Sequence, residues 1–238
     1  MKKVNKIILI LIAAAMLTGM VSCGTDRSGN GNGLLTAPPV PTDDPDAYQL
    51  EPNHIYENRF TQLKFYYSAG YPEDWTYAGD ENEALEQLNA TGMMEGILCA
   101  KFYPKITGRN GNVAVTIYRY NTGSLMNTLN GITANLMTEG SGYYLNDVFH
   151  EGELLRDAFT FTSDADSEKY NHFQWNTANY SFVREGEDWK GKFYVSSGNS
   201  TWFFLVCTEA TADVWDEYSE IFNNMMNDFT FEEIMTKD

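Results

Sequence analysis

Cysteines are the residues of this 238-residue chain that could carry covalent chemistry, and there are three of them. Cys99 and Cys207 lie in the apolar runs Gly96–Ala100 and Phe203–Cys207, where a thiol typically behaves as a small buried hydrophobic group. A catalytic thiol requires an exposed, electropositive setting and a histidine partner, and the sequence indicates neither. We therefore expect two buried thiols, with a disulfide between them as the open alternative.

Histidines and carboxylates show no spacing typical of a metal or catalytic site. His54, His150 and His172 are far apart, which disfavours zinc and favours histidines on the surface or in turns. Asp164–Glu168 begins like a calcium-binding loop, but the sixth and twelfth positions lack the required Gly and Glu. Nothing selects an acid–base pair among the 33 carboxylates. We predict no catalytic, metal-binding or cofactor-binding residue, and a protein that is not an enzyme.

Aromatic side chains are the remaining candidates for ligand binding. The chain has 5 Trp, 15 Tyr and 14 Phe, more than a small core needs to bury. Five of them fall in consecutive predicted strands: Trp175, Tyr180, Trp189, Tyr194 and Trp202. We expect them to pack between a sheet and helices. The alternative is an exposed aromatic strip that binds sugar, peptide or a partner protein.

The N-terminus has the pattern of a secretory signal. Three lysines within the first six residues precede an apolar run from Ile7 to Val21. This run is about 15 residues long, shorter than the roughly 20 that span a bilayer as a helix. The pattern predicts a signal peptide over residues 1–22. The alternative is an uncleaved N-terminal helix that serves as the anchor.

Residues Leu17–Gly24, which read LTGMVSCG, resemble the lipobox of bacterial lipoproteins, with the small Ser22 directly before Cys23. The resemblance implies cleavage before Cys23 and attachment of a diacylglycerol to its thiol, with acyl chains such as palmitate. Two acyl chains are sufficient for stable membrane anchoring. We predict lipidation at Cys23. The alternative is a plain secretory signal in which Cys23 is incidental.

Residues 23–52 are predicted to be a flexible tether behind the acylated cysteine. Residues 24–33 are rich in Gly, Asn and Ser, and five of the seven prolines lie between Pro38 and Pro52. Such a stretch buries too little apolar surface to offset its ordering entropy. The remaining residues, 53–238, are predicted to form a single globular domain.

Helical periodicity appears at three places in this domain: Asp80–Thr91, Ser124–Glu139 and Thr211–Asn227. Asp80 and Glu83 have capping-box spacing, and Thr211 is the predicted N-cap of the third helix.

Strand-like segments make up most of the rest: 61–67, 96–103, 112–120, 158–162, 174–182, 189–196, 201–207 and 229–234. Glu185–Asp188 and Ser197–Ser200 are predicted hairpin turns. Strands in hairpin series with helices inserted between them predict an α+β fold, with a central antiparallel sheet flanked by about three helices.

The order of several short motifs resembles the Mog1/PsbP-like fold. Tyr71–Trp75 (YPEDW) precedes an acidic helix, and a strand hairpin precedes a Trp-bearing helix and Asp228–Phe231 (DFTF). Small lipoproteins of this type from Gram-positive anaerobes are especially similar. The resemblance implies an α/β/α sandwich. It implies no shared activity, since members serve as photosystem assembly factors, a GTPase-binding protein and lipoproteins of unknown role.

Charge limits the partners of the protein. The formal net charge of −17 argues against nucleic acid, whose binding requires clustered Lys and Arg. The sequence therefore predicts a lipoprotein on the extracytoplasmic side of the cell membrane. Its domain is expected to be a non-catalytic module that binds an envelope protein or a small ligand. The alternative is a cell-envelope hydrolase that uses unmarked carboxylates.

Overall fold

The computed structural model describes residues 54–90, 96–105, 111–121, 128–141, 143–145, 159–199 and 202–231. Its helices are α1 (Glu81–Ala90), α2 (Leu129–Met137) and α3 (Trp215–Asn227). Its strands are β1 (Asn58–Gln62), β2 (Tyr67–Tyr71), β3 (Trp75–Ala78), β4 (Gly96–Pro104), β5 (Val113–Asn121), β6 (Thr160–Phe161), β7 (Asp166–Tyr170), β8 (Phe173–Arg184), β9 (Glu187–Asn199), β10 (Trp202–Thr211) and β11 (Thr230–Phe231). The predicted signal peptide, Cys23 and all of the predicted tether lie outside the described residues.

The strands form two antiparallel sheets. The large sheet has the order β3-β4-β5-β10-β9-β8-β6, and β7 also pairs with β8. The small sheet has the order β1-β2-β11. β8, β9 and β10 are joined as consecutive hairpins, and because successive residues of a strand point to opposite faces, their side chains alternate between the two faces of the large sheet.

Both faces of the large sheet carry a core. Along β10, Phe204 and Val206 contribute to the first core, while Phe203, Leu205 and Cys207 contribute to the second. The first core is completed by α1, α3 and the small sheet, and the second by α2. The predicted α+β class, with a central antiparallel sheet flanked by helices, is confirmed.

Helix boundaries follow local capping. The predicted cap of α1 is confirmed, since Asp80 Oδ1 accepts the backbone N–H groups of Asn82 and Glu83. The predicted start of α2 is wrong, because Thr128 is extended and caps the helix by accepting the N–H of Gly131. The predicted cap of α3 is also wrong: Thr211 pairs with Trp189 as the last residue of β10, and α3 begins at Trp215.

The predicted strand over residues 61–67 is two strands of a hairpin. Leu63–Phe65 form a 3-10 turn, and Tyr66 has a left-handed backbone with φ of 59°. This conformation cannot continue a strand, so the chain reverses and β1 pairs with β2. Strands β3 and β7 were not predicted from the sequence.

The hairpin turns were predicted correctly at one place and wrongly at another. Glu185 and Gly186 both have positive φ and join β8 to β9 in a two-residue turn, as predicted. The second predicted turn is wrong, because β9 continues to Asn199, which pairs with Trp202. The pairing of β9 with β10 shifts register by one residue here, since Trp202 pairs with Asn199 but Phe203 pairs with Ser197.

A buried carboxylate ties the start of the described domain to its end. Asp228, only 2% exposed, accepts hydrogen bonds from the backbone N–H of Tyr56 and from the guanidinium of Arg59, at 3.0 and 2.9 Å. Arg59 also donates to Ser68 Oγ at 2.7 Å. The arrangement fixes β1 and β2 against the end of α3.

Candidate functional site

The outer strands of the large sheet carry a row of polar side chains on one side. Ser181 is a cross-strand neighbour of Thr160 on β6 and of Lys190 on β9, and Val183 is paired with Asp188. Directly paired residues project to the same side of a sheet, so these five form one surface, which we call the outer sheet face. Thr160, Val183, Asp188 and Lys190 are exposed.

A groove of 510 Å³ lies on the outer sheet face. Its walls also include Ala212 after β10, and Phe182 and Trp189, which alternate with the outward residues and bury their rings in the second core. Lys190 forms none of the ion pairs found among the described residues. The groove therefore offers an apolar wall at Val183 and Ala212, two hydroxyl groups, the carboxylate of Asp188 and the ammonium group of Lys190.

Next to the groove, an ion pair lies among hydroxyl groups. Lys192 is the next residue of β9 on this side after Lys190, about 7 Å further along the strand. Its Nζ lies 2.7 and 3.0 Å from the two carboxylate oxygens of Glu168 on β7. Thr177 Oγ1 and Tyr170 OH donate to the same carboxylate at 2.6 and 2.5 Å.

The electrostatics of this ion pair favour fixed charges over proton transfer. Burial raises the pKa of Glu168, but hydrogen bonds from Lys192, Thr177 and Tyr170 outweigh it and hold the pKa below its usual range. Burial, together with the Glu168 charge, raises the pKa of Tyr170 and of Tyr194. Glu168 is therefore a persistent anion and the two phenols persistent donors. This suits a rigid surface better than general acid catalysis, which needs a carboxyl with a raised pKa.

Sequence reasoning missed the outer sheet face, although it had a readable signal. Polar residues at 188, 190 and 192 alternate with Trp189, Gly191 and Phe193, as expected of a strand with one buried face. Within the acidic stretch Asp164–Glu168, which begins like a calcium-binding loop, the last three residues belong to β7, where Glu168 pairs with Trp175.

The aromatic residues pack internally, as expected. Trp175, Tyr180, Trp189 and Tyr194 are all at most 4% exposed, and Trp202 is partly buried. The alternative of an exposed aromatic strip along these strands is therefore wrong. Gly191 contributes to this packing, because a Cβ there would lie 2.4 Å from the ring of Tyr180.

The two described cysteines are buried on opposite faces of the sheet. Cys99 belongs to the first core and Cys207 to the second, and no disulfide joins them. The expectation of buried thiols is confirmed, and the disulfide alternative is wrong. Burial raises the pKa of Cys99 to about 12, which leaves it without nucleophilic thiolate at neutral pH.

Two of the histidines can be located. His172 is exposed in the two-residue turn between β7 and β8, where Asn171 and His172 both have positive φ. His54 is a surface residue whose Nδ1 contacts Asp228 and Arg59. Both agree with the expectation of surface or turn histidines, and His150 lies outside the described residues.

The described residues contain neither a cluster of metal ligands nor a membrane-spanning helix. No group of three or more His, Cys, Asp or Glu there is placed to hold a metal ion. None of the described helices combines the length and apolar character needed to cross a bilayer.

Comparison with known proteins gives matches among solved structures alone. No family model and no curated protein matches the chain. The chain is similar to cyanobacterial PsbP (CyanoP) from Synechocystis sp. PCC 6803, with 13% identity and a TM-score of 0.46 over 73% of this chain and 91% of that one. It is similar to LpqN, involved in cell envelope biogenesis of Mycobacterium tuberculosis, with 11% identity and a TM-score of 0.41 over 70% of this chain and 83% of that one.

A third similar structure comes from Bacteroides thetaiotaomicron VPI-5482, with 11% identity and a TM-score of 0.45. The match covers 76% of this chain and half of that longer one. The α+β class itself rests on the strand pairing and the two cores described above.

Proposed function

We propose that this chain is an extracytoplasmic lipoprotein, held at the cell membrane by a lipid on Cys23, whose domain is a non-catalytic binding module. The observation that carries the binding role is the groove on the outer sheet face. It combines apolar surface, hydroxyl groups, the Asp188 carboxylate and the Lys190 ammonium group on paired strands, which keep their relative positions. A few polar groups around apolar surface are typical of ligand sites.

The ligand chemistry follows from the groove. Val183 is 40% exposed and provides apolar contact, while Lys190 favours a ligand with a negative or carbonyl-bearing part. A small amphipathic molecule or an extended segment of an envelope protein meets both requirements. The hydrolase alternative is less well supported, since Lys192 holds the pKa of the Glu168 carboxyl below its usual range, whereas a general acid needs a raised pKa.

Site-specific crosslinking tests this proposal. A photoreactive amino acid is placed at Val183 in the full-length chain in its own cells, and a matched one at the exposed Glu86 on α1. The proposal expects a discrete adduct from position 183 that is absent from position 86 and is lost with Lys190→Glu. Identical labelling from both positions, or labelling insensitive to Lys190→Glu, would contradict the groove as the binding site.

A second arm addresses catalysis. The full-length chain is incubated with cell-wall glycans and peptides from about pH 4 to about pH 9, the range in which carboxylates and histidines act as acids and bases. The proposal expects background turnover throughout. Hydrolysis that is abolished by Glu168→Gln would establish the enzyme alternative instead.

A further inference from the structure

Arg119 on β5 contacts two aromatic rings. Its guanidinium carbon lies 4.7 Å from the centroid of Trp202 and 5.1 Å from that of Phe65. Phe65 is fully buried in the first core, and Trp202 is partly buried at the start of β10. These two cation–π contacts restrict the position of the guanidinium.

No acid compensates the charge of Arg119 in the described part of the chain. The ion pairs found there join His54 and Arg59 to Asp228, and Lys192 to Glu168. Arg119 Nε is buried and has no hydrogen-bond partner. Arg59, by contrast, donates hydrogen bonds to a carboxylate, a hydroxyl and a carbonyl.

Among the described residues this lack of an acidic partner is unexpected, because acidic side chains outnumber basic ones by 33 to 16 in the sequence. Partial burial of a charge without a counter-ion is costly, and it lowers the pKa of Arg119 from its ordinary value. An anion bound to the guanidinium recovers part of that cost. Arg119 is half-buried, and Nε is its buried nitrogen without a partner, so a contact with an anion from solvent would use the terminal nitrogens.

We propose that Arg119 is the anchor of a second binding site, which takes a singly charged oxyanion, either a carboxylate or a phosphodiester, carried by an organic ligand. The planar guanidinium matches the two oxygens of such groups in a bidentate contact. A single cation in a strongly acidic chain favours one negative charge over the nearly two of a phosphate monoester. The partly exposed ring of Trp202 provides apolar contact for the organic part.

This site is separate from the groove on the outer sheet face. Trp202 begins β10 and Ala212 follows its end, so the two positions are ten residues apart along extended chain. At about 3.3 Å per residue, this places them about 33 Å apart. The proposal therefore does not depend on the proposed function of the groove.

Calorimetric titration of the full-length chain in detergent tests the site. The probes are benzoate, dimethyl phosphate and inorganic phosphate at low ionic strength, where charge interactions are strongest. The expected result is saturable binding of benzoate or dimethyl phosphate, with weaker binding of inorganic phosphate. Benzoate alone would identify a carboxylate ligand, and dimethyl phosphate alone a phosphodiester.

Three variants assign the binding to Arg119. Arg119→Gln is expected to weaken binding at least about tenfold. Arg119→Lys should weaken it by a smaller factor, because lysine keeps the positive charge but lacks the planar set of donors that contacts two oxygens at once. Arg184→Gln is the matched control. Arg184 makes a similar cation–π contact with Trp189, at 5.3 Å, but in the hairpin of β8 and β9, so this variant should bind the probes like the wild type.

Circular dichroism verifies that each variant is folded. If Arg119→Gln does not fold, the binding measured for Arg119→Lys decides whether Arg119 forms the site. Absence of saturable binding by all three probes would overturn the proposal. So would equal binding by the wild type and the folded Arg119 variants.

Discussion

Arg59 Nη1 donates to the buried carboxylate of Asp228 at 2.9 Å, across 169 positions of sequence. The bond joins the first strand of the described domain to the residue that ends α3. Asp228→Ala should lower the free energy of unfolding by about 3 kcal/mol, because it leaves the partly buried Arg59 without its counter-ion. Urea denaturation measures this loss. The control is Asp164→Asn at an exposed position, which should cost less than about 0.5 kcal/mol. Equal stability of the two variants would contradict the role assigned to this ion pair.

Gly70 is required by the approach of the same carboxylate. A Cβ at position 70 would lie 1.8 Å from Asp228 Oδ2, so Gly70→Ala forces either the strand or the carboxylate to move. We expect a loss of about 2 kcal/mol in the free energy of unfolding. Gly111→Ala is the matched control, since nothing lies within 4 Å of a Cβ there. In an Asp228→Ala background the cost of Gly70→Ala should shrink, because the clashing group is gone. A Gly70→Ala variant as stable as Gly111→Ala would show that this close approach is not maintained in solution.

The Glu168 carboxylate should make stability depend on pH. Its pKa is held below the usual range in the folded state, so its contribution is fully present above the unfolded pKa of about 4.3. The contribution is lost as pH falls through that value and then through the lower folded pKa. The stability difference between wild type and Glu168→Gln should thus be largest near neutral pH and narrow below about pH 4. Urea titrations across this range measure it, with Glu187→Gln at the exposed start of β9 as control. A difference that widens on acidification would refute the assignment.

Lipidation at Cys23 predicts how the protein divides between cell fractions. Cys23→Ser should move the chain from the membrane to the medium, or leave an uncleaved precursor, because the thiol that accepts the diacylglycerol is absent. Immunoblots of membrane and soluble fractions measure this. Cys99→Ser is the control and should stay in the membrane. Mature-size Cys23→Ser protein retained in the membrane would exclude the anchor.

The predicted tether gives a proteolysis pattern. Residues 24–52 carry glycine, asparagine and proline in place of core-forming residues, so brief protease treatment of the full-length chain should cut there. Mass spectrometry should identify a resistant fragment that begins near His54. Early cuts confined to residues 80–230 would instead contradict the division into tether and domain.

The sequence by itself determined the features that depend on neighbours along the chain. The Asp80 cap of α1 and the Glu185–Gly186 turn use side chains and backbone angles within a few residues. The α+β class followed in the same way, because one-sided apolar periodicity in helices and alternation in strands reflect burial directly.

Only the tertiary structure decided which distant residues meet. Glu168 and Lys192 are 24 positions apart and come together through the register of β7, β8 and β9. Arg119 reaches Phe65 and Trp202 because β5 pairs with β10 and the 3-10 turn packs into the same core. Pair contacts of this kind depend on register and on which face a residue occupies. A one-residue slip reverses every side chain, so composition and local pattern cannot specify them.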